Sequence, residues 1–247
     1  MCGIVGYIGP RDAGGIILSG LYRLEYRGYD SAGLALVAPD ETLTVTRRAG
    51  RIAELEAALQ AAADHPPPAT LGIGHTRWAT HGPPTEVNAH PHVSRDGTFA
   101  IVHNGIIENY ADIRHRLEGK GYSFSSATDS EVIAHLVEAC YEGDLRSAFA
   151  AALEQLDGTY GIALVSSRHP DMICAARKGS PIAVGVCEDE VIVASDISAI
   201  VNYTKQVIFL NDGDIIAARP DNVDITSVRN VPVSRELTHI DWDVDEI

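Results

Sequence analysis

The chain has 247 residues, 45% of them hydrophobic, and carries 34 Asp and Glu against 19 Lys and Arg for a formal net charge of -15. That balance argues against a nucleic-acid or anionic-membrane footprint, which needs clustered cations. No stretch approaches the ~18 uninterrupted apolar residues of a membrane span, and the start lacks the basic residues of a signal peptide. A soluble, cytoplasmic protein is expected.

Residues 2–9 alternate around glycine and predict a strand. Ile16, Ile17, Leu21 and Leu24 then recur at helical spacing up to Tyr26-Arg27-Gly28-Tyr29-Asp30, where glycine breaks the pattern. Two strands follow, Ser31 to Val37 and Leu43 to Arg47. Arg51 to Ala62 is an amphipathic helix that Pro66-Pro67-Pro68 stops. The strand Leu71 to Arg77 feeds a polar loop running through His92, and Phe99 to His103 is a short apolar strand ending on Asn104-Gly105. A helix is expected around Tyr110 to Leu117. Thr128-Asp129-Ser130-Glu131 has capping-box spacing ahead of the apolar stripe Val132, Ile133, Leu136 and Val137.

After a further helix, Leu145 to Leu156, seven short segments between Tyr160 and Val228 read as strands separated by turns, the signature of antiparallel sheet. Helices in pairs between strand runs give an α+β class. No repeat or low-complexity segment is present. Past Leu237 the chain turns acidic and loses its period, so residues 1–238 are read as one domain and 239–247 as the start of an interdomain linker.

Cys2 is the residue with the most chemical promise. A small second residue lets an aminopeptidase remove Met1, leaving a thiol and a free α-amine on one residue. The amine titrates near ~7.7–8.0 and the thiol near ~8.5, so the amine can take the thiol proton with little resistance. That is a nucleophile with its own base. Cys140, Cys174 and Cys187 are scattered without CxxC spacing and read as plain thiols in a reducing compartment.

Gly74-His75-Thr76-Arg77-Trp78-Ala79-Thr80-His81-Gly82 packs a planar cation, hydroxyls, imidazoles and an indole into a strand-to-loop transition. The guanidinium fork of Arg77 matches a carboxylate, with Thr80 and His81 completing the cradle; an edge-strand Arg in solvent is the plainer alternative. Arg27 is a second candidate for an anion contact. Asn104-Gly105 is either a turn or an oxyanion hole, in which the amide and a backbone N–H face a developing negative oxygen. Asp129 is either a helix-start acid or a carboxylate for a substrate ammonium. His75, His81, His90, His92 and His103 invite a metal reading, yet they fit no HExxH pattern and no cofactor is expected.

Taken together, Met1 to Gly6, Glu25 to Gly33, His75 to Gly82, His103 to Asn109 and Thr128 to Glu131 resemble the glutaminase domain of the glutamine–fructose-6-phosphate aminotransferase family. Its members are class II glutamine amidotransferases with the N-terminal nucleophile hydrolase fold. The blocks run in the family's order over about residues 1–240. Relatives such as amidophosphoribosyltransferase usually read Val-Arg-Tyr-Ser-Thr where this chain has Thr76-Arg77-Trp78-Ala79-Thr80, which favours the sugar enzymes. The resemblance implies a four-layer αββα sandwich of two antiparallel sheets.

By the same resemblance Cys2 attacks the side-chain amide of L-glutamine, Asn104 and Gly105 hold the oxyanion, and Arg27 approaches the nucleophile. Arg77, Thr80 and His81 bind the α-carboxylate, Asp129 binds the α-ammonium, and Trp78 helps gate ammonia passage. Ammonia would serve glucosamine 6-phosphate synthesis in a full-length enzyme, expected to be a homo-oligomer, whose C-terminal sugar isomerase domain is missing here. Other readings are the glutaminase half of another amidotransferase, a non-catalytic regulatory module of the same fold, and a histidine metalloprotein.

Overall fold

Side-chain alternation along the strands sorts the chain into layers. The computed structural model describes residues 2–61, 69–78 and 82–241. With strands numbered in chain order, one sheet runs β14 (Leu237–His239), β11 (Gln206–Phe209), β9 (Ala183–Val186), β10 (Val191–Ala194), β1 (Gly3–Ile8), β4 (Leu71–Arg77), β2 (Ser31–Val37), β3 (Leu43–Ala49). The second runs β13 (Asn222–Ser227), β12 (Asp214–Arg219), β8 (His169–Lys178), β7 (Gly158–Ser166), β6 (Phe99–Ile107), β5 (His92–Val93). Every named strand pair in both is antiparallel.

On β1 and β4, Ile4, Ile8, Leu71 and Ile73 face inward and meet Ala100, Val102, Ala163 and Val165 of the other sheet. The alternate residues Val5 and Tyr7 turn outward beneath α1 (Ala13–Arg23) and α2 (Ile52–Ala61). On the second sheet Phe99, Ile101, Ile162 and Leu164 turn outward against α3 (Tyr110–Glu118), α4 (Glu131–Cys140) and α5 (Leu145–Leu153). The result is a four-layer αββα sandwich, as expected. Each fully buried Ile or Leu in these layers contributes roughly 1.5–3 kcal/mol of transfer free energy, so the three cores rather than intrinsic propensity hold the short helices in place.

The structure departs from the sequence reading at several points. β6 does not end at His103 but continues through Asn104-Gly105 to Ile107, fully paired with β7. Long-range pairing therefore overrides the turn preference of Asn-Gly. β5, two residues long, carried no periodic signal. α4 begins at Glu131, two residues beyond the start that a box capped by Thr128 predicts, and the box is not made: the observed N-cap is Ser130, which makes no side-chain capping bond. Glu131 instead accepts hydrogen bonds from the backbone N–H groups of Ser125 and Ser126, at 2.8 and 2.7 Å. The packed chain also continues past residue 238: His239 pairs with Gln206, and Ile240 is buried in the α1–α2 core. Pro66-Pro67-Pro68 and the acidic end 242–247 lie outside the described residues.

Glycine sets how closely α1 approaches the sheet. A Cβ on Gly74 would sit 2.3 Å from Ile17 Cγ2 and 3.1 Å from Leu21 Cδ1, so α1 docks on β4 only because that side chain is missing. Gly74→Ala should lower stability by about 1–3 kcal/mol through overpacking. Gly119→Ala, whose Cβ would meet only ordinary contacts at 3.5 Å, should be neutral or slightly stabilising. Urea midpoints compare the two, and equal midpoints would remove the steric account of this interface.

Candidate active site

The N-terminal end of β1 is fixed from both sides. Antiparallel pairing sets Gly3 opposite Thr76 on β4, and the Gly3 N–H donates to Thr76 Oγ1 at 3.1 Å. The Ile4 N–H donates to Ser195 Oγ at 2.9 Å, just beyond β10. Cys2 is thus carried to the rim of the inter-sheet layer on the face of Ile4 and Ile8. By the same parity His75 and Arg77 follow Leu71 and Ile73 on β4, and Asn104 follows Ala100 and Val102 on β6. The start of β1, the end of β4 and the interior of β6 converge at one rim.

There the Trp78 N–H donates to Cys2 Sγ at 3.1 Å. Asn104 Nδ2 donates to the Cys2 carbonyl oxygen at 3.1 Å, and Asn104 Oδ1 lies 2.9 Å from His75 Nε2. Gly105 adopts φ +133, and a Cβ there would sit 2.1 Å from the Thr159 carbonyl oxygen. Only glycine fits that backbone. Asp129, buried just before α4, accepts from the Ile107 N–H at 2.7 Å. Arg77 is 4% exposed; it donates to the Gly82 and Pro83 carbonyls at 3.3 and 3.4 Å and stands 4.0 Å from Asp30. Arg27 forms an ion pair with Asp196, and its Nε donates to the Tyr26 hydroxyl at 3.1 Å.

Cys2, Arg27, Arg77, Trp78, Asn104, Gly105 and Asp129 all line one cavity of about 450 Å³, within the range of small-molecule sites. The sequence reading selected each of these residues, although they are spread over 128 positions of chain. Thr80 and His81 lie outside the described residues. Sequence reasoning did not assign Thr128, Ser130, Thr159, Ser180 and Ser195 to the site; they line the walls together with His90, His103, Ile106 and Pro181, and hydroxyl residues carry no site signal until the fold groups them. Trp78 is 54% exposed; its N–H holds the thiol while its ring packs beside Gly28.

Electrostatics at the rim favour neutral groups. Burial pushes the Cys2 thiol up from its ordinary value, opposed by the Trp78 N–H and the Arg77 charge and reinforced by Asp30. A raised thiol needs a base to react at neutral pH. Burial drives His75 and His92 down to about 3 and His90 well below its ordinary value, so these imidazoles are uncharged at neutral pH. Three of the histidines in this stretch are engaged by the protein: His75 with Asn104, His92 with Thr128 Oγ1 at 3.0 Å, and His103 with Ser130 Oγ at 2.8 Å. Among the described residues no group of three or more His, Cys, Asp and Glu is placed to hold a metal ion.

Comparison with known proteins places this geometry. The model of the glutamine amidotransferase domain family matches residues 75–202. Glutamine–fructose-6-phosphate aminotransferase (isomerizing) of Symbiobacterium thermophilum is 50% identical over 98% of this chain, and that of a Thermus thermophilus strain is 49% identical over 99%. The chain spans about 40% of the length of those curated relatives. Among solved structures, a glutamine phosphoribosylpyrophosphate amidotransferase from B. subtilis complexed with ADP and GMP superimposes with TM-score 0.76 at 25% identity, covering 92% of this chain and 49% of that one. A structure described as the allosteric regulatory enzyme of purine biosynthesis gives 0.77 at 26%, with the same coverage. With the family model matching more than half of the sequence, the chain belongs to the glutamine amidotransferase domain family.

Proposed function

We propose that this chain hydrolyses the side-chain amide of L-glutamine through a thioester on Cys2. The observation that carries the reading is the placement of a half-buried, base-requiring thiol beside the Asn104 amide in a cavity that also bears Arg77 and Asp129. Removal of Met1 frees the α-amine, which takes the thiol proton as Sγ attacks the amide carbon. The oxyanion is held by the Asn104 NH2 and the Gly105 N–H; one such donor is worth about 2.7–4 kcal/mol in the transition state. Collapse breaks the C–N bond, and the protonated amine returns its proton to the leaving nitrogen, which departs as ammonia. Water then attacks the thioester, gives up a proton to the amine and releases glutamate, after which the sulfur is reprotonated.

Arg77 pairs with the α-carboxylate and Asp129 with the α-ammonium, opposite charges for the two ends of one amino acid. Thr80 and His81 join the carboxylate cradle. Arg27, restrained by Asp196, shapes the wall beside Cys2, and Trp78 gates the mouth. Relatives named for amino transfer to fructose 6-phosphate, each some two and a half times as long as this chain, support a further step: the ammonia serves glucosamine 6-phosphate synthesis, in a sugar isomerase unit beyond the matched residues.

Cys2→Ala should abolish glutamate release while leaving the circular dichroism spectrum unchanged, and retention of Met1 should do nearly the same; substantial turnover in either form would sink the mechanism. A glutamine-like electrophile should add one mass increment to the N-terminal peptide. Cys174 and Cys187 are pushed up to about 12 and about 11 by burial, and Cys140 is also raised, so label on any of them would relocate the nucleophile.

Arg77→Lys keeps the charge and loses the fork, so kcat/KM for glutamine should fall roughly 10- to 100-fold, the size of one charge-assisted hydrogen bond. Asp129→Asn should weaken glutamine binding more than binding of an analogue lacking the α-amine. Equal losses on both substrates would remove Asp129 from the ammonium site.

Supplied with glutamine and fructose 6-phosphate, these 247 residues should yield glutamate and free ammonia, with the rate of glutamate release unchanged by the sugar. Detection of glucosamine 6-phosphate by mass spectrometry, or clear stimulation by fructose 6-phosphate, would place a sugar site within this chain.

A further inference from the structure

An asparagine amide has two chemically opposite ends of nearly the same shape, and a half-turn about its last bond exchanges donor for acceptor. An oxyanion donor is useful only with its NH2 facing the reacting carbonyl. At this site the orientation is determined. Nδ2 of Asn104 donates to the Cys2 carbonyl oxygen at 3.1 Å, and Oδ1 faces His75 Nε2 at 2.9 Å. The flipped amide would set its oxygen against the Cys2 carbonyl, two acceptors at hydrogen-bond distance.

His75 itself is held firmly. It lies in the middle of the sheet, opposite Ile4 on one side and Gly33 on the other, and is 1% exposed. Its ring packs on that of His90 with centroids 4.2 Å apart. His75 Nδ1 has no hydrogen-bond partner, so a proton there would be an unsatisfied buried donor, and the favoured tautomer carries it on Nε2, aimed at Asn104 Oδ1. Burial holds this ring down to about 3, so it remains a neutral, single-proton donor across the working range. His75 is absent from the cavity wall and reaches it through two neighbours that line it, Asn104 by a hydrogen bond and His90 by ring packing; of the two, Asn104 is the one whose orientation it can fix.

We propose that His75 is a positioning residue that locks the Asn104 amide with its NH2 toward the oxyanion. The proposal rests on the reading of Asn104 as an oxyanion donor. It assigns to this histidine a role in the chemical step and none in binding glutamine.

The test uses a matched pair of polar replacements in the full chain. In His75→Gln the side-chain NH2 reaches about as far as Nε2, whereas in His75→Asn it falls short. Complete removal of one oxyanion donor typically lowers kcat by about 10²–10³. His75→Asn should therefore lower kcat by at least about tenfold with KM for glutamine within about twofold, and His75→Gln should recover most of the loss. In an Asn104→Ala background, His75→Asn should cost nothing further, because the partner through which it acts is gone.

Equal losses in the Gln and Asn variants, a rise in KM matching the fall in kcat, or a further loss on top of Asn104→Ala would each overturn the proposal. Failure of the underlying reading looks different: Asn104→Ala alone would then keep parental kcat. A large fall in Asn104→Ala beside parental kcat in His75→Asn would overturn the positioning role while leaving the oxyanion reading standing.

Discussion

Everything at the site depends on holding the second residue of the chain still. Chain ends fray unless they are tied into a sheet, and here the tie is made on both flanks of β1 immediately after Cys2. Thr76 Oγ1 and Ser195 Oγ accept the first two N–H groups of the strand, the Ser195 N–H donates to the Ile4 carbonyl at 3.1 Å, and the Asn104 amide takes the carbonyl of Cys2 itself. A candidate nucleophile carried at the start of a strand paired on both sides in mid-sheet gains the precision that a loop residue lacks.

The charge pattern follows from that burial. A thiol at the rim of a closed layer loses solvation of its anionic form, so it rests protonated, and the nearby imidazoles lose their charges for the same reason. Histidines that look like a metal or acid–base cluster in the sequence are thereby reduced to packing and hydrogen bonding. His90 stacks on His75, and His92 stands edge-on to His90 with centroids 4.6 Å apart. The arginines Arg27 and Arg77 and the carboxylate Asp129 share that cavity with the imidazoles of His90 and His103.

The second sheet and its helices contribute the opposite wall. β6 carries Asn104 on its inward face and His103 on its outward face, where His103 meets Ser130 at the start of α4. Asp129 is tied to the same strand through the Ile107 N–H. The oxyanion candidate and the ammonium candidate are therefore spaced by one strand and one helix start, and a shift of α4 on the sheet would change the distance between them. Glu131 stiffens this corner by taking the Ser125 and Ser126 N–H groups, which explains why it abandons the capping box.

Local sequence was enough to determine most element types and the α+β class and to mark Cys2, Arg77, Asn104 and Asp129 as candidates, because period-two alternation, glycine punctuation and rare functional groups are written into adjacent positions; the sandwich and the roles of those residues came only as what the family resemblance implies. Strand parity already implied that His75 and Arg77 share the face of Leu71 and Ile73. What the chain order does not contain is which strand ends meet. The course of β6 through an Asn-Gly pair, the pairing of β14 with β11, the Arg27–Asp196 ion pair and the His75–Asn104 contact all depend on groups far apart in sequence. Their free energy comes from long-range pairing and burial, which exist only once the two sheets have closed on each other, so the tertiary structure alone decided them.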